Sequence, residues 1–342
     1  MSKIFISGAA GFIGSQLSYY LLKKGYHVTL LDNFSYGVED NLIFPDCDFR
    51  GKIIRGDIRD KKLIDELFKK NKFDYVYHIA AITSLPDCQI NPIEAVDVNI
   101  TGTLTILEAS RTYGVKKVVF ASTSAVYENN EKFPLFEENP VRPSLIYPST
   151  KYAAEQFCYD YVKNYDMNIT CLRFANVYGP HIDCLRKQPP VVGYIIRELF
   201  YDRSPILHST GNQSRDFVYV EDLISLCEMV LNGKGFDIVN VSSGISVSIN
   251  ELMLMISKLM NREEINAIYK GEAFFWKKYP ELYKKPYPIK NEVLVHEVKK
   301  YTNLSNKHAF ERYGWKPQTS MEEGLKRTIS FVCEMLEKHC KK

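Results

Sequence analysis

The chain has 342 residues, 45% of them hydrophobic, enough to bury one large core or two modest ones. Its formal net charge is only +3 and no basic patch interleaves with aromatic residues, so nucleic acid is not an expected partner. No apolar run is long enough to span a membrane and no cleavable leader precedes the first apolar run, so no membrane association is expected.

Short apolar runs alternate with amphipathic stretches from the start. KIFIS (3–7), HVTLLD (27–32), KIIRGD (52–57), YVYHIAA (75–81), KVVFAS (117–122) and NITCLRF (168–174) read as buried parallel strands. GSQLSYYLLKKG, KKLIDELFKKN, TLTILEASRTYG and AAEQFCYDYVKNY fall among them with helical spacing. Strand and helix in alternation imply an α/β fold with a doubly wound parallel sheet. Eight cysteines are scattered without a C-x-x-C pair. In a chain this size they read as reduced thiols of a cytoplasmic protein, and no metal site is expected.

The first strand runs into Gly8, Gly11 and Gly14, spaced G-x-x-G-x-x-G. Glycine there permits a tight turn, close approach of backbone to a pyrophosphate, and close packing of helix on strand. A helix beginning near Phe12 aims its amides and dipole at the phosphates. A plain strand-to-helix turn would also use glycines. What moves the reading is Asp32, which ends the second strand 18 residues after Gly14. A carboxylate there bonds the adenosine ribose hydroxyls and repels the extra phosphate of NADP, so the expected cofactor is NAD on a Rossmann-type sheet. Asp57, after the third strand, suits either the adenine amine or an ordinary turn.

Further along, IYPSTKYAAE (146–155) sets Tyr147 and Lys151 four residues apart, on one face of a helix that tolerates Pro148 in its first turn. Taken alone, they read as a packing tyrosine and a solvated lysine. Beside a nicotinamide the pair has another use: an ammonium, and the cationic ring itself, favour the phenolate and bring a base into range near neutral pH. FASTSAVY (120–127) follows the fifth strand, where this architecture builds its sites, and offers a hydroxyl from Thr123 or Ser124.

SGAAGFIG, LLDNFSYG, GDIRD, HIAA, VNITGT, STSAVY, YPSTK, RFANVYGP and QSRDFVYVEDL occur in this order across nearly the whole chain. Together they resemble the extended short-chain dehydrogenase/reductase family, specifically its NAD-dependent sugar-nucleotide epimerases and dehydratases. The resemblance implies a catalytic base at Tyr147, a ribose-binding partner at Lys151 and the hydroxyl residue at Thr123. Ser124 could substitute only if the alignment slips by one. It implies cofactor contacts from Gly8, Gly11, Phe12, Ile13, Gly14, Asp32, Asn33, Asp57, Ile58, Ala80 and Asn99, besides Tyr147 and Lys151. Asn176, with Thr123 and Ser124, is implied at the substrate, and Arg215 at its diphosphate, where a guanidinium gives directed, charge-assisted bonds.

Residues 1–176 are thus expected to form the NAD-binding domain and 177–342 mainly a smaller substrate lobe, with FDIVNV (236–241) returning to the main sheet. The two positions after Thr123 choose the reaction. In the family's 4,6-dehydratases they resemble Asp-Glu, an acid and a base; here Ser124 and Ala125 supply neither. The expected activity is therefore C4 epimerisation of a nucleotide-diphosphate sugar, with UDP-glucose/UDP-galactose or N-acetylated relatives as first candidates. A 4-dehydrogenase stopping at the keto sugar is the alternative, ahead of a dehydratase or a non-catalytic NAD-binding regulator. The family's uridine-gripping arginine and aspartate are missing near the C-terminal end, with Lys290 and Glu292 as candidate replacements. A homodimer paired through helices near 92–112 and 147–165 is also implied.

Overall fold

The computed structural model describes residues 2–340. In the first half, strands β1 (Lys3–Ser7), β2 (His27–Asp32), β3 (Ile43–Phe44), β4 (Cys47–Asp48), β5 (Ile53–Arg55), β6 (Tyr75–His78), β7 (Lys117–Thr123) and β8 (Ile169–Phe174) alternate with helices. These are α1 (Phe12–Lys23), α2 (Lys61–Asn71), α3 (Leu85–Ile90), α4 (Pro92–Val96), α5 (Gly102–Thr112) and α6 (Ile146–Tyr165). The expected helix over 92–112 is interrupted by a turn of π-helix, Asp97–Thr101.

The main sheet has seven parallel strands, completed by β12 (Phe236–Val241) against β8, in the order β12–β8–β7–β6–β1–β2–β5. Side-chain alternation feeds two cores: Ile4 and Ile6 face α1, while Phe5 faces Ile64 and Phe68 of α2 and Ile106 of α5. Burial on both faces explains why these strands read as continuous apolar runs. The chain winds outward from β1 through β2 to β5, then crosses back to β6. That reversal opens a crevice at the carboxyl ends of β1 and β6.

The second half adds β9 (Asn176–Tyr178), β10 (Ile206–His208), β11 (Ser214–Tyr219), β13 (Ser246–Ser248) and β14 (Ile268–Lys270). Helices α7 (Val191–Phe200), α9 (Ile249–Leu259) and α13 (Met321–Cys340) enclose a third core with Phe217 and Tyr219 of β11. Helix α9 starts at a capping box in which Ser248 and Glu251 satisfy each other's amides. α8 (Val220–Met229) and α12 (Lys307–Tyr313) pack back on the sheet. α10 (Ala273–Trp276) and α11 (Asn291–Lys299) meet over a small core of Trp276, Tyr279, Leu282 and Leu294. No described helix is long and apolar enough to cross a membrane.

Candidate active site

One cavity of about 900 Å³ runs from the β1–α1 turn to the second-half lobe. Its floor depends on glycine. A Cβ on Gly14 would lie 2.0 Å from the Gly8 carbonyl oxygen, and one on Gly8, itself at φ +73°, would lie 2.7 Å from the Ala80 nitrogen. The turn therefore folds tightly enough for α1 to begin at Phe12, with no side chain capping its first amides. Gly8, Gly11, Phe12, Ile13, Gly14, Asp32, Asn33, Ile58 and Ala80 all reach the wall.

Asp32 is buried and accepts from the amides of Ala10 at 2.9 Å and Phe34 at 2.7 Å, tying the glycine turn to the end of β2. Burial pushes its pKa up, and those two amides pull it back. Two expected cofactor residues are not among those that line the cavity. Asp57 is gripped by Arg59 and accepts from Asn33 Nδ2 at 3.0 Å; the Arg59 bond holds its carboxyl down at about 2. Asn99 is buried, bonding both the amide and the carbonyl of Ile82 and the Thr150 hydroxyl. It fixes the lining segment around Ile82 and does not itself reach the cavity.

Across the crevice, Thr123, Tyr147 and Lys151 meet at the cavity wall, the first from the end of β7 and the other two from α6. Thr123 Oγ1 accepts from the Ala125 amide at 3.1 Å and lies near enough to the Tyr147 phenol to favour its ionised form. The Lys151 ammonium donates to the Ala121 carbonyl at 2.7 Å, 4.7 Å from the centre of the Phe120 ring, and burial lowers its pKa to about 8. Burial raises the Tyr147 phenol to about 12, with Thr123 pulling weakly the other way. The spacing correctly put Tyr147 and Lys151 together. The chain alone does not lower the phenol, because Lys151 is turned to β7 and desolvation dominates.

On the lobe side, Asn176 reaches the cavity and donates to the Asp216 carbonyl at 3.2 Å. Arg215 also lines it, but its two Nη groups donate to the main-chain carbonyls of Ser214, Lys300, Glu297 and Val298. The guanidinium thus caps the C-terminal end of α11. Ser124, expected near substrate, starts a 3-10 turn outside the wall. Lys290 and Glu292 are exposed and outside it too, so neither replaces the missing uridine grip. His208, Gln213 and Trp276 do line this end. Gln213 opens the QSRDFVYVEDL stretch without a role assigned to it, and His208 and Trp276, from two separate short elements, carried no periodic or motif signal.

A glycine turn at the switch point of a parallel sheet, facing a hydroxyl, a phenol and a lysine, defines a dinucleotide-dependent enzyme. The profile of the NAD dependent epimerase/dehydratase family matches residues 4–242, and the chain belongs to that family. A Methanocaldococcus jannaschii protein is 35% identical over 332 residues, 96% of this chain and 98% of that one. UDP-glucuronate 4-epimerase of Thermodesulfobacterium geofontis is 30% identical over 349 residues, 98% of each chain. The structure of Thermotoga maritima UDP-glucose 4-epimerase with UDP-glucose superposes with a TM-score of 0.85 at 28% identity, covering 98% of this chain and 99% of that one.

Proposed function

We propose that the protein inverts C4 of a nucleotide-diphosphate sugar through a transient 4-keto sugar, with NAD as its resident cofactor. One observation carries this reading: Thr123 and Tyr147 are juxtaposed at the cavity wall, while Ser124 and Ala125 put no carboxylate there. NAD fits the residues present. Gly8 and Gly14 form a cradle that any Cβ would fill, and the Asp32 carboxylate suits ribose hydroxyls and rejects the NADP phosphate. Bound NAD would supply a reversible hydride acceptor at C4.

Tyr147 as phenolate removes the proton from the 4-hydroxyl, and Thr123 bonds the same oxygen and shares the charge that develops there. Lys151 holds the nicotinamide ribose and adds a positive charge near the phenol. Asn176 contacts the sugar or diphosphate. The diphosphate stays anchored in the lobe half of the cavity, which lets the keto sugar turn and present its other face. Tyr147 then returns the proton.

The test is a panel of UDP-, GDP- and dTDP-linked hexoses. At least one should be inverted at C4 with no net change in NADH absorbance. Steady NADH release would make the protein a 4-dehydrogenase, and a 4-keto-6-deoxy product would make it a dehydratase. Gly14→Ala, which forces a Cβ onto the Gly8 carbonyl, is expected to weaken NAD binding by roughly ten-fold or more. Dinucleotide released by denaturing the purified variant measures this, and full NAD content would count against the cradle.

The chain is further proposed to act as a homodimer. Ile93 and Val96 of α4 and Tyr159 and Tyr165 of α6 are exposed apolar side chains on the two helical segments expected to pair. Sedimentation should give a dimer at micromolar concentration; a monomer would refute the pairing.

A further inference from the structure

Two segments flank the glycine turn that floors the dinucleotide site. β1 lies between β2 and β6 in the sheet, so the chain leaving β2 passes on one side of the turn and the chain leaving β6 on the other. The first brings Ser35, Tyr36 and Gly37 to the cavity wall, and the second brings Ile82 and Leu85. A hydrogen bond joins the two segments across 51 positions of chain: the Tyr36 hydroxyl donates to Asp87 Oδ2 at 3.0 Å. Tyr36 is 43% exposed and Asp87 partly so, which puts this bond at the cavity mouth and not in a core.

Both ends of the bond are held. The Val38 amide and Asn41 Nδ2 donate to the Ala10 carbonyl inside the glycine turn, at 3.1 and 3.0 Å. A Cβ on Gly37 would lie 2.7 Å from the Ala10 Cβ and 3.0 Å from Asp32 Oδ1, so this loop rests directly on the turn. Asp87 sits in the first turn of α3, where its own amide donates to the capping Ser84 hydroxyl. α3 is in turn braced by Leu85 and Ile90 against the small core of Trp276, Tyr279 and Leu282. Burial, reinforced by the bond to Asp87, raises the Tyr36 pKa, so the phenol keeps its proton and remains a donor near neutral pH.

We infer that Tyr36 and Asp87 form a clasp across the glycine turn, which must open for NAD to enter or leave. The inference rests on the reading of NAD as resident cofactor and supplies a barrier that keeps a recycled cofactor in place. Both are positioning residues, acting at the mouth and not on the reacting atoms. A clasp slows release and entry together and leaves affinity nearly unchanged, whereas a direct ligand contact, once lost, weakens affinity.

The experiment loads the full chain with radiolabelled NAD and follows its release into excess unlabelled NAD, with affinity taken from equilibrium dialysis. Tyr36→Phe and Asp87→Ala should each speed release by about five-fold or more, with affinity changed by less than about two-fold. The double variant should release no faster than either single one, since both changes remove the same bond. Asp87→Asn keeps an acceptor oxygen and should release NAD at close to the wild-type rate. Wild-type release in both Tyr36→Phe and Asp87→Ala would overturn the clasp. Faster release with an equal loss of affinity would also overturn it, making Tyr36 an ordinary ligand contact. A working clasp in a protein that inverts no sugar at C4 would refute the epimerase reading alone. C4 inversion with unchanged release in both variants would refute the clasp alone.

Discussion

Tyr147→Phe is expected to reduce kcat by about a thousand-fold or more while folding and NAD content stay near wild type, because it removes only the acid/base oxygen. The ring and its packing on α6 are kept, and the phenol stays beside Thr123 at the cavity wall. Thr123→Ala should lose less, since water can partly replace a hydroxyl donor. The chain by itself places the phenol at about 12, too high for a base at neutral pH. In the NAD-loaded enzyme the nearby cations favour phenolate, so kcat should rise with pH along an acid limb well below that value. The profile of kcat against pH measures this. A fully active Tyr147→Phe enzyme would sink the assignment of Tyr147 as the base.

How much of this was legible in the sequence depended on whether a property is local. The inner strands of the main sheet are buried on both faces, so each writes itself as an apolar run. β12 was readable for the same reason, although it returns from the second half. The glycine turn is a constraint on seven consecutive residues, and Tyr147 and Lys151 are set by one helical turn. What could not be read depends on partners far along the chain. Arg215 matched a phosphate-binding pattern, yet its Nη groups are held by carbonyls of α11 and the residue after it, more than eighty positions away. Asn99 carried the right letter for a cofactor contact, but the π-helical turn sets it against Ile82 and Thr150, and it does not line the cavity. The high pKa of the phenol in the chain alone comes from desolvation, which spacing does not report.

The largest stability effect is expected one helical turn beyond Lys151. Glu155 and Arg173 are almost fully buried, with relative exposures of 0% and 2%. They form a two-pronged pair, Nη2 to Oε2 at 2.6 Å and Nε to Oε1 at 3.0 Å. The Ser122 hydroxyl also donates to Glu155. Arg173 Nη1 donates to the Tyr127 hydroxyl at 2.7 Å, and that hydroxyl donates to Asn240 Oδ1 at 2.9 Å. One ion pair therefore ties α6 to β7, β8 and β12 beneath the Thr123–Tyr147–Lys151 set. Deleting one partner strands the other charge in a dry interior, so Arg173→Leu or Glu155→Leu should each cost about 3–5 kcal/mol in urea unfolding. The double variant strands neither charge, so its loss should fall well below the sum of the two. Turnover should fall in both single variants, because α6 and the end of β7 lose their common anchor. A loss under about 1 kcal/mol for either single change, or strict additivity in the double, would mean that water enters to solvate the remaining charge and that the pair does not set the position of α6.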